Sequence, residues 1–377
     1  YMSVMFMAQL ANSSVLEATG RLRDALSAAT IAAALGQYQL PTATGIPLNE
    51  LQVGIPGVFT ANGAQLVGAG VVLAITAVQD RGLRTTDMVQ RALAVIPVAA
   101  LAALSLATLV MWLGDAVPAP PQAPAPTAPW SMGAIVGAWL AAHFAYSGWN
   151  AIVYAAGAVE NPYRTLPRAM VGGTVSVAAL YLLICGALAA GLGMAALADA
   201  GEAGTALAAH LGGDTLARGM NALIAIGLLG TVHATLLGGA RVGLAMGRSG
   251  DLPARMGTVD SRGTPRTALW VQGIWTALLV LTNAADTLLT AVALAMVVVG
   301  TLTAASLFLL RGRLDDGPEG WGVPALPMVH LVLGLIVLAL ELTHALSDDG
   351  DRISLLGVGV FLVAVVAHKL LGGRRSA

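Results

Sequence analysis

The sequence predicts an all-α protein that crosses a lipid bilayer many times, and three observations lead to this fold class. Of 377 residues, 57% are hydrophobic and only 10% are charged, whereas a soluble globular protein carries about 25% charged residues. The mean hydropathy is +0.78. The apolar residues form repeated stretches of about 20 residues, the length at which an α-helix spans the hydrocarbon core. The lipid bilayer is therefore a predicted partner, and nothing in a net charge of −1 indicates nucleic acid.

Ten apolar stretches are long enough to be transmembrane helices. They cover residues 2–20, 58–79, 89–114, 131–158, 167–194, 217–246, 265–284, 286–310, 324–346 and 352–371. The proline-rich run at 115–129 predicts a stiff extended loop, and the small-residue-rich run at 195–216 is a candidate for a short surface helix. No remaining segment is long enough for a soluble domain, so residues 1–377 are predicted to form a single transmembrane domain.

Basic residues gather in alternate predicted loops, and this asymmetry predicts the orientation in the membrane. One set of loops carries Arg81, Arg84, Arg91, Arg164, Arg168, Arg241, Arg248, Arg255, Arg262, Arg266, Arg311, Arg313, Lys369, Arg374 and Arg375. The opposite loops carry Arg218 and Arg352, with Arg21 and Arg23 at the end of the first predicted helix. Since cytoplasmic loops are rich in Lys and Arg, we expect a cytoplasmic C-terminus. The expected location is the plasma membrane, and the residue usage favours the inner membrane of a bacterium.

The sequence shows no pattern typical of an enzyme, a metal site or a bound cofactor. It has one cysteine, Cys185, so no internal disulfide can form. No pair of histidines has the spacing of zinc ligands, and no glycine-rich phosphate loop follows a strand. Paired aspartate motifs that would bind magnesium-pyrophosphate are also absent from the sequence. We therefore expect neither enzymatic activity nor a cofactor.

One apolar stretch is interrupted by the heptapeptide Phe144-Ala145-Tyr146-Ser147-Gly148-Trp149-Asn150. Small and hydroxylic residues at Ser147 and Gly148 allow the backbone to leave the helical conformation. Open backbone at membrane depth is tolerated only beside protein or a water-filled cavity. The interruption is thus a candidate binding site for a polar solute, as in the broken helices of transporters. An ordinary spanning helix with one packing glycine is the alternative interpretation.

A second candidate is His233, which lies in the middle of the stretch 217–246, two residues after Thr231. Ionisable residues inside a membrane are functional candidates by default. Histidine has a reference pKa near 6.5, so it can carry a proton or respond to pH. The alternative is a neutral histidine that is hydrogen-bonded to a carbonyl group or to Thr231. The sequence leaves both interpretations open.

Several motifs resemble amino acid permeases of the amino acid–polyamine–organocation superfamily, especially the L-type amino acid transporters. Residues 144–150, followed by Asn161-Pro162-Tyr163-Arg164-Thr165-Leu166-Pro167, resemble the sixth helix of that family. Residues 240–253 resemble its loop after helix eight, and Gly263-Thr264-Pro265 resembles the start of helix nine. Residues 308–311 and 323–327 resemble the end of helix ten and the start of helix eleven. The matches occur in the family's order over most of the chain, and together they make the resemblance to this family specific.

The resemblance implies a leucine-transporter-like fold of twelve helices, of which the first ten form two inverted repeats of five. The ten predicted stretches then correspond to helices three to twelve, and the chain is expected to lack the first two. The implied function is secondary active transport of amino acids by alternating access, with the substrate at the unwound sixth helix. The implied substrate-binding residues are Phe144, Ala145, Tyr146, Ser147, Gly148, Trp149, Asn150, Thr231 and His233. An amine or polyamine exchanger and an inactive fragment are the alternatives.

Two positions depart from the family pattern and concern coupling. The family's acidic residue before the Asn-Pro pair is replaced by Ala158, and the family's helix-five lysine is replaced by Pro97. A lysine-based coupling mechanism is therefore not carried over to this chain. A proton and a counter-substrate are both candidates for the coupling partner, and the sequence specifies neither the amino acid nor the oligomeric state.

Overall fold

A computed structural model describes residues 52–55, 59–121, 161–200, 202–282, 285–310 and 324–345, with isolated positions at 29, 32, 33, 50, 135, 138, 139, 141, 142, 145, 146 and 148. The chain divides into two compact units. Unit 1 comprises residues 1–30, 130–147 and 235–377, and unit 2 comprises residues 31–129 and 148–234. The predicted helices at 2–20 and 352–371 lie outside the described residues, as does most of the predicted helix at 131–158.

In unit 2 a β-hairpin precedes the first described helix. Strand β1 (Gln52–Ile55) pairs antiparallel with β2 (Phe59–Asn62). Helix α1 (Gly63–Gln79) starts directly after β2, because Asn62 caps it. The Asn62 Oδ1 accepts from the Gln65 amide N–H at 2.8 Å, and the Gln65 Oε1 accepts from the Asn62 N–H at 2.9 Å. This reciprocal capping box fixes the start of the helix.

The hairpin corrects the start of one predicted helix. The sequence predicts a helix from residue 58, whereas residues 59–62 form a strand and the helix begins at Gly63. A short run of apolar and β-branched residues fits a strand as well as a helix. The capping box at Asn62 fixes the start of the helix at Gly63, so the residues before it are left to the strand. The described part of the chain is otherwise helical, as the sequence predicts.

Three helices of the described residues are long and apolar enough to cross a membrane. They are α2 (Leu83–Leu113), α3 (Pro162–Asp199) and α4 (Ala203–Ser249). Helix α3 is kinked at Gly193, and α4 is broken at Gly212 and Gly213. Residues 203–211 thus form a short helical segment ahead of the long part of α4, within the run where the sequence favours a short helix.

Unit 1 contains the end of α4, a 3₁₀ turn (Ala254–Gly257), and helices α5 (Arg266–Thr282), α6 (Ala285–Leu310) and α7 (Ala325–Ala345). Helices α6 and α7 pack closely through glycines, since Gly334 lies against the Thr301 side chain. Such contacts between small residues are typical of helix packing in membranes. Val297 of α6 and Val337 of α7 form an apolar core against which Trp139 packs.

Within unit 2, α2 and α4 approach each other closely at two glycines of α4. The ring of Pro97 lies 3.4 Å from the position that a Cβ atom would take at Gly227. The carbonyl oxygen of Leu93 lies 2.9 Å from the equivalent position at Gly230. Proline has no N–H, so this carbonyl, four residues before Pro97, lacks its usual donor within the helix. The missing side chain at Gly230 is what allows the α4 backbone to lie against it.

This contact predicts a difference between two substitutions that lie three residues apart. Gly230→Ala places a methyl group against the Leu93 backbone, which cannot move without distorting α2. We expect a loss of about 1–3 kcal/mol in stability, as for other overpacked sites. Gly227→Ala makes an ordinary contact with Pro97 and should change stability little. Thermal unfolding of each detergent-purified variant, monitored by size-exclusion chromatography, measures the change in stability. Equal melting temperatures for the two variants would contradict the described packing.

Candidate functional site

Two helices of unit 2, α1 and α2, bring uncharged polar side chains to His233 of α4, and we call this group the His233 cluster (Gln79, Gln90 and His233). The His233 side chain belongs to α4 and is 0% exposed. Its Nδ1 lies 2.8 Å from Oε1 of Gln90, near the start of α2. The Nε2 of Gln79, the last residue of α1, donates to the carbonyl oxygen of His233 at 2.6 Å. The contact between Gln90 and His233 continues the α2–α4 crossing by one further helical turn.

The hydrogen bond to Gln90 determines which ring nitrogen carries the proton. An amide oxygen can only accept, so Nδ1 of His233 must be the donor. In the neutral ring Nε2 then has a free lone pair. This atom is buried and has no hydrogen-bond partner among the described residues, and the same is true of Oε1 of Gln79. Buried polar atoms are nearly always paired with protein or water, so two unpaired acceptors in one cluster indicate a place for a donor.

The structure supports part of each interpretation of His233. One interpretation is a neutral histidine that is hydrogen-bonded to a carbonyl group or to Thr231. The ring is indeed hydrogen-bonded to a carbonyl oxygen, which belongs to the side chain of Gln90. Thr231 is not the partner, because its hydroxyl donates to the Gly227 carbonyl at 3.0 Å and its side chain is exposed. The unpaired Nε2 keeps the functional interpretation open, since it can still bind a proton or a ligand.

Gln79 and Gln90 are not among the site residues predicted from the sequence. Both are uncharged polar residues at the ends of apolar stretches. At such a position a glutamine can lie at the membrane surface and does not by itself indicate a binding site. Gln79 is only 1% exposed, however. The signal that would have found them is spatial, because these residues lie 154 and 143 positions from His233 along the chain.

Of the heptapeptide 144–150, the structure describes Ala145, Tyr146 and Gly148. Ala145 is helical, and the Tyr146 N–H donates to the Ala142 carbonyl at 3.0 Å, so the helix reaches this point. Gly148 has a φ of 95°, far from the value of about −63° that an α-helix requires. An α-helix therefore does not continue through Gly148. A Cβ atom there would meet nothing within 4 Å, so backbone conformation, and not space, favours glycine.

The other predicted substrate-binding residues of the heptapeptide, Phe144, Ser147, Trp149 and Asn150, lie outside the described residues. Ala145 and Tyr146 belong to unit 1, and Tyr146 is 42% exposed. Gly148, Thr231 and His233 belong to unit 2. Among the described members of this set, His233 belongs to the His233 cluster, in which its partners are Gln79 and Gln90. The binding role of all nine residues stays a prediction.

Two of the family-like motifs are helix boundaries in the structure. Asn161 adopts a left-handed conformation with φ of 51°, and Pro162 begins α3. Proline suits this first position because its missing N–H would have no helical partner. The second motif, residues 240–253, contains the end of α4. Gly250 has a φ of 87°, and the Asp251 N–H donates to the Met246 carbonyl at 2.9 Å. This is the usual chemistry of a helix C-terminus.

The part of the chain that the structure describes contains no group of three or more His, Cys, Asp or Glu side chains that could hold a metal ion. On α2 Arg91 pairs with Asp87 at 3.0 Å, and both side chains are exposed. The buried polar side chains of the described helices are amides and hydroxyls, together with the imidazole of His233.

Comparisons with known proteins agree with these motifs. The sequence matches the amino acid permease family over residues 25–365. The serine/threonine exchanger SteT of Bacillus subtilis is 28% identical over 201 residues, which are 51% of this chain and 45% of that protein. The human large neutral amino acids transporter small subunit 2 is 27% identical over 238 residues, 62% of this chain and 44% of that protein. The methylthioribose transporter of Bacillus subtilis is 24% identical over 280 residues, 74% of this chain and 59% of that protein.

The chain spans about half the length of the curated relatives it matches. These relatives are named as transporters and an exchanger, which confirms the prediction that the chain is not an enzyme. The match covers nearly the whole chain, and the apolar helices are those of a multi-pass membrane protein. The resemblance seen in the sequence motifs is therefore confirmed, and the chain belongs to the amino acid permease family.

Proposed function

We propose that the protein is a secondary active transporter that moves amino acids across the plasma membrane by alternating access. The substrate is held where the apolar segment 131–158 leaves the helical conformation. The observation that carries this proposal is the φ of 95° at Gly148, inside an apolar stretch of a chain that belongs to the amino acid permease family. Backbone that is not helical at membrane depth is expected to line a cavity.

The chemistry of an amino acid suits such a break. Its carboxylate needs hydrogen-bond donors and its ammonium group needs acceptors. The ends of an interrupted helix supply free N–H groups with partial positive charge and free carbonyls with partial negative charge. In our proposal Ser147 and Gly148 permit the break, Phe144, Tyr146 and Trp149 line or close the site, and Ala145 leaves room for the solute.

Polar side chains complete the proposed site. Asn150 can donate to or accept from the substrate, and Thr231 and His233 are contributed by α4. None of these residues carries a fixed charge, so the proposal favours a neutral amino acid. The proposed architecture is the leucine-transporter-like arrangement, with ten visible helices that correspond to helices three to twelve.

The relatives provide one alternative substrate class. The methylthioribose transporter matches the larger share of this chain among the three relatives described above, at 74%, and its name refers to a thioether sugar. Counterflow into proteoliposomes, with the protein expressed from its complete gene, separates the classes. We expect a neutral amino acid to exchange, and amines, polyamines and methylthioribose to fail to compete. Exchange of none of the amino acids would contradict the proposed function.

The proposed site predicts that Gly148→Val abolishes amino acid exchange. Valine is strongly disfavoured at a positive φ, and the strain of roughly 1–3 kcal/mol would reshape the break. We expect counterflow to fall by about tenfold or more. Gly172→Val is the matched control, because Gly172 also has nothing within 4 Å of its Cβ position but lies in the regular part of α3. Ser147→Leu should behave like Gly148→Val. Equal exchange in the Gly148 and Gly172 variants, at equal surface expression, would refute the site.

The basic-residue pattern predicts that the C-terminus lies in the cytoplasm. A green fluorescent protein fused after Ala377 should fluoresce, whereas alkaline phosphatase at the same position should be inactive. A phosphatase fused after Ala119, in the predicted external loop 115–129, should be active. Phosphatase activity at the C-terminus would show that the orientation is reversed.

A further inference from the structure

We propose that Nε2 of His233 is a proton-binding site and that a proton bound there is carried across the membrane together with the amino acid. This inference rests on the proposed transport function and names its coupling ion. It starts from a geometric observation, the pairing of one ring nitrogen and not the other. Nδ1 donates to Oε1 of Gln90 at 2.8 Å, whereas Nε2 is fully buried and has no partner among the described residues.

The arrangement keeps the ring ready to bind a proton. Because Gln90 holds the hydrogen on Nδ1, the basic lone pair of the neutral ring is on Nε2. A proton that arrives from hydronium forms an N–H bond at Nε2 and leaves water, and the imidazole becomes an imidazolium with two donors. The hydrogen bond from Nδ1 to Gln90 is retained in both states. Oε1 of Gln79, also buried and unpaired among the described residues, adds acceptor capacity to the same cluster.

Burial links the proton to a change in conformation. The His233 side chain is 0% exposed, so exchange of a proton with water requires the surrounding helices to separate. A buried positive charge is also costly unless it is hydrogen-bonded. Protonation of Nε2 therefore changes the equilibrium between the open and closed states of the transporter. In turn, the conformational state changes the affinity of Nε2 for a proton. This linkage is what a transporter needs in order to couple proton movement to solute movement.

His233 is the titratable member of the cluster, and the nearest charged residues along each helix are not members of it. On α2, Asp87 and Arg91 flank Gln90 but pair with each other at 3.0 Å, and their side chains are 62% and 77% exposed. On α1, Asp80 follows Gln79 at the end of the helix. On α4, the nearest charged residues in the sequence are Arg218 and Arg241, at least about two helical turns away. The described contacts of the His233 residue are with uncharged amides.

The test uses proteoliposomes that contain the protein expressed from its complete gene, with the membrane potential clamped by potassium and valinomycin. The solute is a neutral amino acid identified by counterflow. An inward gradient of one pH unit should drive accumulation toward about tenfold, the limit for one proton per substrate. A protonophore should abolish it. In His233→Asn the amide nitrogen can still donate to Gln90, but the basic nitrogen is gone, so any remaining exchange should not respond to the gradient.

Two further variants make the test decisive. His210→Asn is the matched control, since this histidine of the same helix contacts the Pro118 carbonyl and lies outside the cluster. It should accumulate substrate like the wild type. Gln90→Glu places a carboxylate beside Nδ1 and favours the imidazolium. We expect the pH of half-maximal uptake to rise by about one unit, an effect that a merely structural role would not produce.

The outcomes separate the inference from the proposed function. A wild-type protein that exchanges no amino acid overturns the proposed function. A wild type that exchanges but accumulates nothing in the pH gradient overturns the proton site alone, as does gradient-driven accumulation by His233→Asn. If His233→Asn loses all exchange, the Gln90→Glu profile decides: an upward shift supports the proposal and an unchanged profile refutes it.

Discussion

A polar group that is buried between packed helices must find its partner within the protein, because water does not reach it there. This constraint explains the features that matter most in unit 2. Pro97 leaves the Leu93 carbonyl without a helical donor, and Gly230 allows α4 to lie directly against it. One turn further on, the same crossing brings His233 to Gln90. The close approach of two backbones and the pairing of two polar side chains are therefore consequences of a single contact.

The family-like motifs have a common physical meaning, which is that they end or begin helices. The left-handed Asn161 precedes the proline that starts α3, and Gly250 terminates α4. Gly148 likewise has a φ that no α-helix contains. Asparagine and glycine tolerate this region better than other residues. A motif made of such residues, within an otherwise apolar sequence, specifies where the backbone turns out of the helix.

Much of the fold could be predicted from the sequence, because length and hydropathy determine which segments can cross a membrane. Helices α2 to α7 overlap the predicted stretches 89–114, 167–194, 217–246, 265–284, 286–310 and 324–346. The prediction was wrong at 59–62, where a local cap at Asn62 separates a strand from the helix. The site could be predicted only in part. His233 stood out as an ionisable residue in an apolar stretch, but its glutamine partners depend on contacts between distant parts of the chain.

The central claim is that the peptide around Ser147 and Gly148 leaves the helix within the membrane and holds an amino acid there. Substrate protection of a thiol tests this most directly. Cys185 is the chain's one cysteine, so a Cys185→Ser background allows a single reporter to be introduced by Ser147→Cys. A water-soluble methanethiosulfonate should label this variant, and increasing concentrations of a neutral amino acid should slow the reaction. A Gly172→Cys variant on α3 should show no such protection. A Ser147→Cys variant that does not react, or that reacts at the same rate with and without every amino acid, would contradict the account.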